Sequence, residues 1–404
     1  MKTERITENM ERAAEFIQRG SLVAVPTETV YGLAGNGLNA EAVSRIYEVK
    51  GRPAIKPLSL MVPSSEAMDL YCHDVPKQAR ALAAKFWPGP LTIVLPAREE
   101  IPEIVLAGGK TVGLRCPDHP LTLSLLKECG LPLAAPSANP SGEPSPKTAE
   151  QVLGYFDGKI EAVIDGGPCG IGTESTLIDM SQKPYRILRQ GALGCDTIAG
   201  ALVEQMKIIG ITGGSGTGKT TALRELEKHG ALVIDCDAVY HELLQSSAEM
   251  LAELSEAFPG SVQEGVLDRP TLAARVFSDE EALLKLNSIT HYYVCREVEE
   301  RLREYAMNGG ELAAIDAVEL FSSGLSERCT VTLAVMADME KRIERIMTRD
   351  KINRESAVKR IEAQRPDAYF EQHCDYCLWN NADQEQFKQD CRQLFKEIQK
   401  AWMN

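Results

Sequence analysis

The sequence predicts an α/β chain made of two successive domains. Three observations carry that expectation. Short apolar runs alternate with charged amphipathic segments along the chain, the pattern of strands joined by crossover helices. Two stretches look like domain openings: an amphipathic segment from Thr7 to Arg19 followed by apolar Ser21–Pro26, and the buried-strand run Lys207–Thr212 leading into a glycine-rich turn. The length, 404 residues, also exceeds what one core of ordinary size uses.

In the first half the strand candidates after Ser21–Pro26 are Leu58–Val62, Thr92–Leu95, Val112–Arg115, Val163–Asp165 and Ser175–Asp179. Helices and Pro/Gly-rich loops separate them, and the most turn-rich loop, Ala138–Thr148, reads as part of an active site because apolar strands resume soon after it. The second half alternates Leu232–Asp235, Leu312–Asp316 and Val331–Met336 with charged helices over Ala282–Tyr305 and Glu340–Arg349, the signature of a parallel sheet. The predicted division is residues 1–195, a linker helix over 196–206, and residues 207–404.

Composition narrows the function classes. Hydrophobic residues at 44% and charged residues at 25% are ordinary globular usage, which excludes global disorder. No apolar run is long enough to span a membrane. The opening residues are charged and carry no secretory pattern, and eleven scattered cysteines suit reduced thiols, so a cytoplasmic location is expected. The net charge of −14 divides as −4 before Lys207 and −10 from Lys207 onward. Neither half has the basic excess that holds nucleic acid through its phosphates, so direct contact with nucleic acid is left open as a local matter.

The sharpest motif is Gly213-Gly214-Ser215-Gly216-Thr217-Gly218-Lys219-Thr220, between an apolar strand and a helical stretch. Glycines let backbone N–H groups turn inward around phosphate oxygens, and the helix N-terminus adds partial positive charge. Lys219 is expected to reach the β- and γ-phosphates of ATP, and the Thr220 hydroxyl to ligate Mg²⁺. Further on, a strand ends in Asp235-Cys236-Asp237, carboxylates at the end where open α/β sheets bind ligands. One of the two is suited to take a proton from an acceptor hydroxyl, and spacing alone does not say which.

Four strings in order, TGGSGTGKTT, VIDCDAVYHELL, RPTLAARVFSDEEALLKLNSITH and RIMTRDKINRESAVKRIEAQ, resemble the dephospho-coenzyme A kinase family over about Lys207 to Asn381. The resemblance implies a P-loop kinase with a parallel sheet and a helical lid, phosphorylating the ribose 3′-hydroxyl of dephospho-coenzyme A. It makes Asp237 the general base and Arg349 the lid arginine, puts His291 at the base of the coenzyme-binding helices as a substrate contact, and matches Arg269 to the family's R-x-x-L entry. The chain departs from the family pattern at His291-Tyr292, at Val318–Ser322, and after Gln364, where the lid's basic residue looks absent and Phe370 stands near its place.

The first half holds three polar clusters among its strands. Thr27, Glu28 and Thr29 follow one strand; Lys50, Arg52 and Lys56 lie in a segment that Pro53 and Pro57 keep from being helical; Ser137 and Asn139 precede the turn-rich loop. Cations and hydroxyls converging on loops suit a triphosphate and a carboxylate. The strings VPTETVYGL, KGRPAIKPL, GLRCPDHP, APSANPSG, GTESTLIDM and ILRQGAL, in that order, resemble the threonylcarbamoyl-adenylate synthase family over about Glu8 to Gly194.

That resemblance implies a twisted mixed-sheet α/β domain that converts L-threonine, bicarbonate and ATP into threonylcarbamoyl-AMP and pyrophosphate, on the way to a modified adenosine in tRNA. It assigns nucleotide and phosphate contacts to Lys50, Arg52, Ser137 and Asn139, with Lys56, Ser175 and Arg189 as further ones. Thr27 and Arg115 become threonine contacts, Arg115 facing the carboxylate. Mg²⁺ is expected with ATP at both sites, and tRNA-modifying proteins downstream. The competing reading is a nucleotide- or RNA-binding module attached to an inactive kinase-like scaffold; carbamoyl transfer in metallo-enzyme maturation is a third, for which the flanking domains are missing. The segment from His373 to Cys377 offers a C-x-x-C pair without a second ligand pair, so buried thiols are expected there, not zinc.

Overall fold

A computed structural model describes residues 2–263, 265–276 and 279–402. It divides into two compact units, Met1–Gln205 with Met307–Gly309, and Met206–Ala306 with Gly310–Asn404. The stretch read as a linker helix is largely the helix Cys195–Val203; it buries Ile198, Ala199, Ala201, Leu202 and Val203 and falls within the first unit.

The first unit is built on ten strands: β1 (Glu4–Ile6), β2 (Val23–Val25), β3 (Gly32–Asn36), β4 (Ser59–Met61), β5 (Leu91–Pro96), β6 (Thr111–Arg115), β7 (Leu133–Ala134), β8 (Ala162–Ile164), β9 (Thr176–Asp179) and β10 (Arg186–Arg189). They form one mixed sheet in the order β1-β8-β2-β3-β7-β4-β6-β5-β9-β10. β2 meets β8 in parallel and β3 antiparallel, and β6 meets β4 in parallel and β5 antiparallel. The expected strands appear within a residue or two. β1, β3, β7 and β10 were not expected: β1 lies in the charged start, β7 is two residues long, β10 carries arginine at both ends, and the Gly-Leu-Ala-Gly-Asn run of β3 has low strand propensity. Its small residues are dictated by packing instead, since a Cβ at Gly35 would stand 2.9 Å from Leu22 Cδ2.

The helix Met10–Gln18 is capped by the Asn9 side chain, which accepts from Arg12 N–H at 2.9 Å. Its buried face, Met10, Ala13, Ala14 and Ile17, recurs at helical spacing and packs against Val23, Val25, Leu125 and Leu126.

The second unit has the strands β11 (Lys207–Thr212), β12 (Leu232–Asp235), β13 (Val262–Gln263), β14 (Val266–Leu267), β15 (Leu312–Asp316), β16 (Val331–Met336) and β17 (Tyr376–Trp379). Five make an all-parallel sheet in the order β12-β15-β11-β16-β17, and β13 and β14 form a separate hairpin. β16 reads VTLAVM and is buried at every position, as expected of a parallel strand covered on both faces. β17 is the edge strand, so Cys374 and Cys377 around it are only half-buried. Phe370, read as standing near the lid's basic position, is a core residue packed on Ala334 and Met336; the basic residue beside Gln364 is Arg365, whose guanidinium lies over the Tyr369 ring at 5.2 Å. No described helix is long and apolar enough to cross a membrane.

Candidate active sites

In the first unit a cavity of about 240 Å³ opens against the ends of β4, β6 and β9. Arg52, Arg115, Ser137, Glu174, Ser175 and Arg189 line its polar wall, and Val30, Leu60, Met61, Ala135 and Leu177 its apolar wall. Six segments distant in sequence thus meet in one place. Thr92 Oγ1 and Ser175 Oγ are 2.8 Å apart, and Arg189 donates to the Ser175 carbonyl at 2.9 and 3.1 Å and to its hydroxyl at 3.1 Å. Glu174 pairs with Arg189 at 2.6 Å and accepts from the Ser145 hydroxyl at 3.0 Å.

The remaining expected residues stand behind or beside this wall. Lys50 ends the helix Ala40–Lys50 and is buried; its ammonium donates to the carbonyls of Ser137 and Asn139 and so fastens the loop that carries Ser137. Burial, with Arg52 adding to it, pulls the Lys50 ammonium down to about 8. Asn139 is buried with Oδ1 unpartnered among the described residues, its amide donating to Glu143 O at 2.6 Å. Thr27 is 1% exposed and serves the turn after β2: its hydroxyl donates to Val30 O at 2.6 Å and accepts from Thr29 and Val30 N–H. Lys56 is exposed, outside the cavity wall. Glu174 was passed over by motif reading, and Glu28 was noted only within its polar cluster, without a role of its own. A carboxylate inside a string of hydroxyl and glycine residues, as in Gly-Thr-Glu-Ser-Thr, was the available signal for the first.

In the second unit β11 runs into the glycine loop and the helix Lys219–Lys228. Gly213 has φ +134°, and a Cβ there would stand 2.2 Å from Val335 O, so β16 approaches too closely for any side chain. The loop's carbonyls are held from outside. Arg342 donates to Ser215 O at 3.0 Å, Arg345 to Gly216 O at 3.2 Å, and Asn380 to Thr217 O at 2.8 Å. Gln364 accepts from Ser215 N–H at 2.9 Å and donates to its hydroxyl at 2.9 Å. Arg342, Arg345 and Gln364 were not singled out from the sequence; arginine recurring at 342, 345 and 349 on one helix face was the readable sign.

Lys219 donates to Gly213 O at 2.8 Å. Burial lowers its pKa; Asp316, Asp237 and Asp235 oppose the fall, and Arg349 adds to it, so these charges share one region. Arg349 is exposed and forks onto Asp350 at 2.7 and 2.9 Å. Asp316, at the end of β15, was missed as a site residue although it shares the strand-end position of Asp235. Burial pushes its carboxyl up to about 6, and its Oδ1 has no partner among the described residues.

Asp235 caps the helix Cys236–Ser246, accepting from Asp237 and Ala238 N–H at 2.9 and 3.0 Å, which separates the two aspartates by role. Asp237 is left to face a cavity of about 260 Å³ with His291, Tyr240, Thr290 and Glu319. Burial lowers the His291 pKa, with Glu319 opposing. Arg269 begins the helix Arg269–Val276 and is near enough to Tyr240 to act on its charge, but does not line the cavity.

The donor set fits a magnesium ion carried by nucleotide. Thr220 offers a hydroxyl in the first helical turn, and Asp316 offers an orphaned buried oxygen beside Lys219. Among the described residues no trio of His, Cys, Asp or Glu forms an all-protein metal cage. In the first cavity Glu174 is the one carboxylate of the wall, with hydroxyls of Ser137, Ser175 and Thr92 around it.

A family model described as telomere recombination, covering Sua5, YciO and YrdC proteins, matches residues 15–191, and a dephospho-CoA kinase model matches residues 207–386. A putative threonylcarbamoyl-AMP synthase of Mycobacterium tuberculosis is 34% identical over 190 residues, 47% of this chain and 87% of that protein. A dephospho-CoA kinase of Corynebacterium glutamicum is 34% identical over 192 residues, 47% of this chain and 98% of that one. The chain belongs to both families. The threonylcarbamoyl-AMP synthase of Pyrococcus abyssi is 48% identical over 202 residues, 50% of this chain and 59% of the relative, so the synthase-type half spans only part of that longer protein. The kinase-type half carries the glycine loop, Asp237 and the His291 cavity, and the synthase-type half the cavity of Arg115 and Arg189.

Proposed function

We propose that the chain is a bifunctional transferase with one ATP-using site in each unit. In the first, the amine of L-threonine attacks carbon dioxide drawn from bicarbonate. The carbamate oxygen then attacks the α-phosphorus of ATP, and pyrophosphate leaves with the bonding electron pair. What carries this reading is the single cavity that sets Arg115 against Arg52, Arg189 and Ser175, a carboxylate anchor facing phosphate anchors. No protein nucleophile is needed; Arg52 and Arg189 neutralise phosphate charge, and Lys50 holds the Ser137 loop in register. Enclosure by the apolar wall keeps water from the labile carbamate. Thr27, Asn139 and Lys56 support this site from outside its wall.

In the second unit Asp237 takes the proton of the dephospho-coenzyme A 3′-hydroxyl as that oxygen attacks the γ-phosphorus, and ADP leaves. Lys219 and the loop N–H groups bind the phosphates, Arg349 closes from the lid helix, and His291 holds the acceptor. Mg²⁺ bound with ATP at Thr220 and Asp316 supplies charge neutralisation of the phosphates. All eleven cysteines are unpaired, which supports a reducing cytoplasmic setting. The test is a substrate assay on the intact chain: pyrophosphate release that requires both threonine and bicarbonate, and ADP formation that requires dephospho-coenzyme A. Turnover indifferent to these co-substrates would defeat the proposal.

A further inference from the structure

Arg115 is a buried guanidinium whose donors are already divided. Its Nε donates to Gly89 O at 3.2 Å, and its Nη2 donates to Glu28 Oε1 at 2.7 Å and to Thr29 Oγ1 at 2.8 Å. Nη1 forms no hydrogen bond among the described residues, and Arg115 lines the cavity. Glu28 is itself fixed, its Oε2 accepting from Asp118 N–H at 3.0 Å, and the side chains of the pair are 8% and 13% exposed. A carboxylate of the protein outside the cavity lining therefore already pairs with Arg115, although Arg115 is the expected partner of a substrate carboxylate.

The geometry points to Glu28 as a positioning and specificity-determining residue that presents one nitrogen of Arg115, Nη1, to the cavity and tunes this end for a zwitterionic α-amino acid over a simple carboxylate. This rests on the reading of Arg115 as the carboxylate anchor. Two physical reasons support it. A guanidinium held on three sides cannot swing to meet a ligand bidentately, so the ligand's carboxylate has one place to go. The buried Glu28 charge also offsets that of Arg115 before ligand arrives. An anion such as 3-hydroxybutyrate, which is threonine without its amino group, feels repulsion from Glu28 that partly offsets its attraction to Arg115. Threonine carries an ammonium that turns the same carboxylate into an attraction.

The experiment is calorimetric titration of the full chain with L-threonine and with 3-hydroxybutyrate, alongside the KM for ATP. The unaltered chain should prefer threonine. In Glu28→Gln that preference should narrow by roughly tenfold, mainly through tighter binding of 3-hydroxybutyrate, while the KM for ATP stays within about twofold. Glu28→Asp keeps the charge and should keep the preference. Thr29→Val removes an acceptor of Arg115 without changing charge and should weaken both ligands alike, which tests the idea even if Glu28→Gln does not fold. Parallel loss of both ligands in a folded Glu28→Gln, an unchanged preference, or a Thr29→Val chain that narrows it as much, would each overturn the assignment. An unaltered chain that binds no threonine would remove the functional reading of Arg115, and this inference with it.

Discussion

At the scale of single residues, the second unit shows how charge can hold a functional helix in place. Glu225, on the buried face of the helix that begins with Lys219, accepts from Arg392 at 2.7 Å and from Lys228 at 2.6 Å. Hydrogen bonding to Arg392, then to Lys228, draws its carboxyl down to about 2. A carboxyl depressed in the folded state adds stability that is present above its ordinary value near 4.5 and is lost as pH falls through about 2. Arg392→Ala should therefore lower the melting midpoint of this unit by roughly 3 °C at pH 7, and the gap from the unaltered chain should shrink as pH falls from about 4.5 toward 2. Circular dichroism melts across that range check it; a gap that stays constant with pH would contradict it. Glu225 reads in the sequence as one more charge on a solvated helix face. Nothing local marks it, because its partner lies in a helix more than 150 residues away.

At the scale of elements, the glycine loop was legible because its constraint is local. Backbone N–H groups can gather round a phosphate only where no Cβ intervenes, and Gly213 also faces a backbone carbonyl of β16. Gly213→Ala should cost about 3 kcal/mol through backbone strain and that clash. A thermal melt with and without ATP should show a lower midpoint for the second unit and no shift of that unit's midpoint on adding nucleotide, while the first unit still responds.

The loop after β15 was not legible, and it departs from the family pattern. Phe321 meets Tyr369 at 6.2 Å and His373 at 5.6 Å, and Tyr369 stacks on His373 at 4.2 Å. Ala317, Val318, Glu319 and Ser323 of this loop line the Asp237 cavity, while the helix Asp367–His373 follows Gln364, which holds Ser215. The rings thus tie the acceptor wall to the phosphate loop. Phe321→Ala should raise the KM for dephospho-coenzyme A roughly fivefold, with less effect on the KM for ATP, given about 1 kcal/mol for such ring pairs. Steady-state kinetics with each substrate varied in turn decide it.

At the scale of the whole molecule, each unit lines its own cavity with its own residues. Lys219→Ala should abolish dephospho-coenzyme A phosphorylation and leave threonine-dependent pyrophosphate release intact. Lys50→Ala should do the reverse by freeing the Ser137–Asn139 loop. Loss of both activities in either variant would contradict separate sites.

The sequence alone determined the two-unit α/β plan, the strands β11, β12, β15 and β16 and the phosphate loop, because apolar period, glycine placement and strand–loop–helix order are short-range properties. Tertiary structure alone decided which polar residues face a ligand. It set Arg115, Arg189 and Glu174 around one cavity, turned Thr27 and Lys50 inward to hold loops, gave Asp235 to a helix cap and Asp237 to a cavity, and left Asp316 buried beside Lys219. Those outcomes depend on contacts between segments far apart in the chain, where burial and neighbouring charge, rather than residue type, fix what a side chain can do.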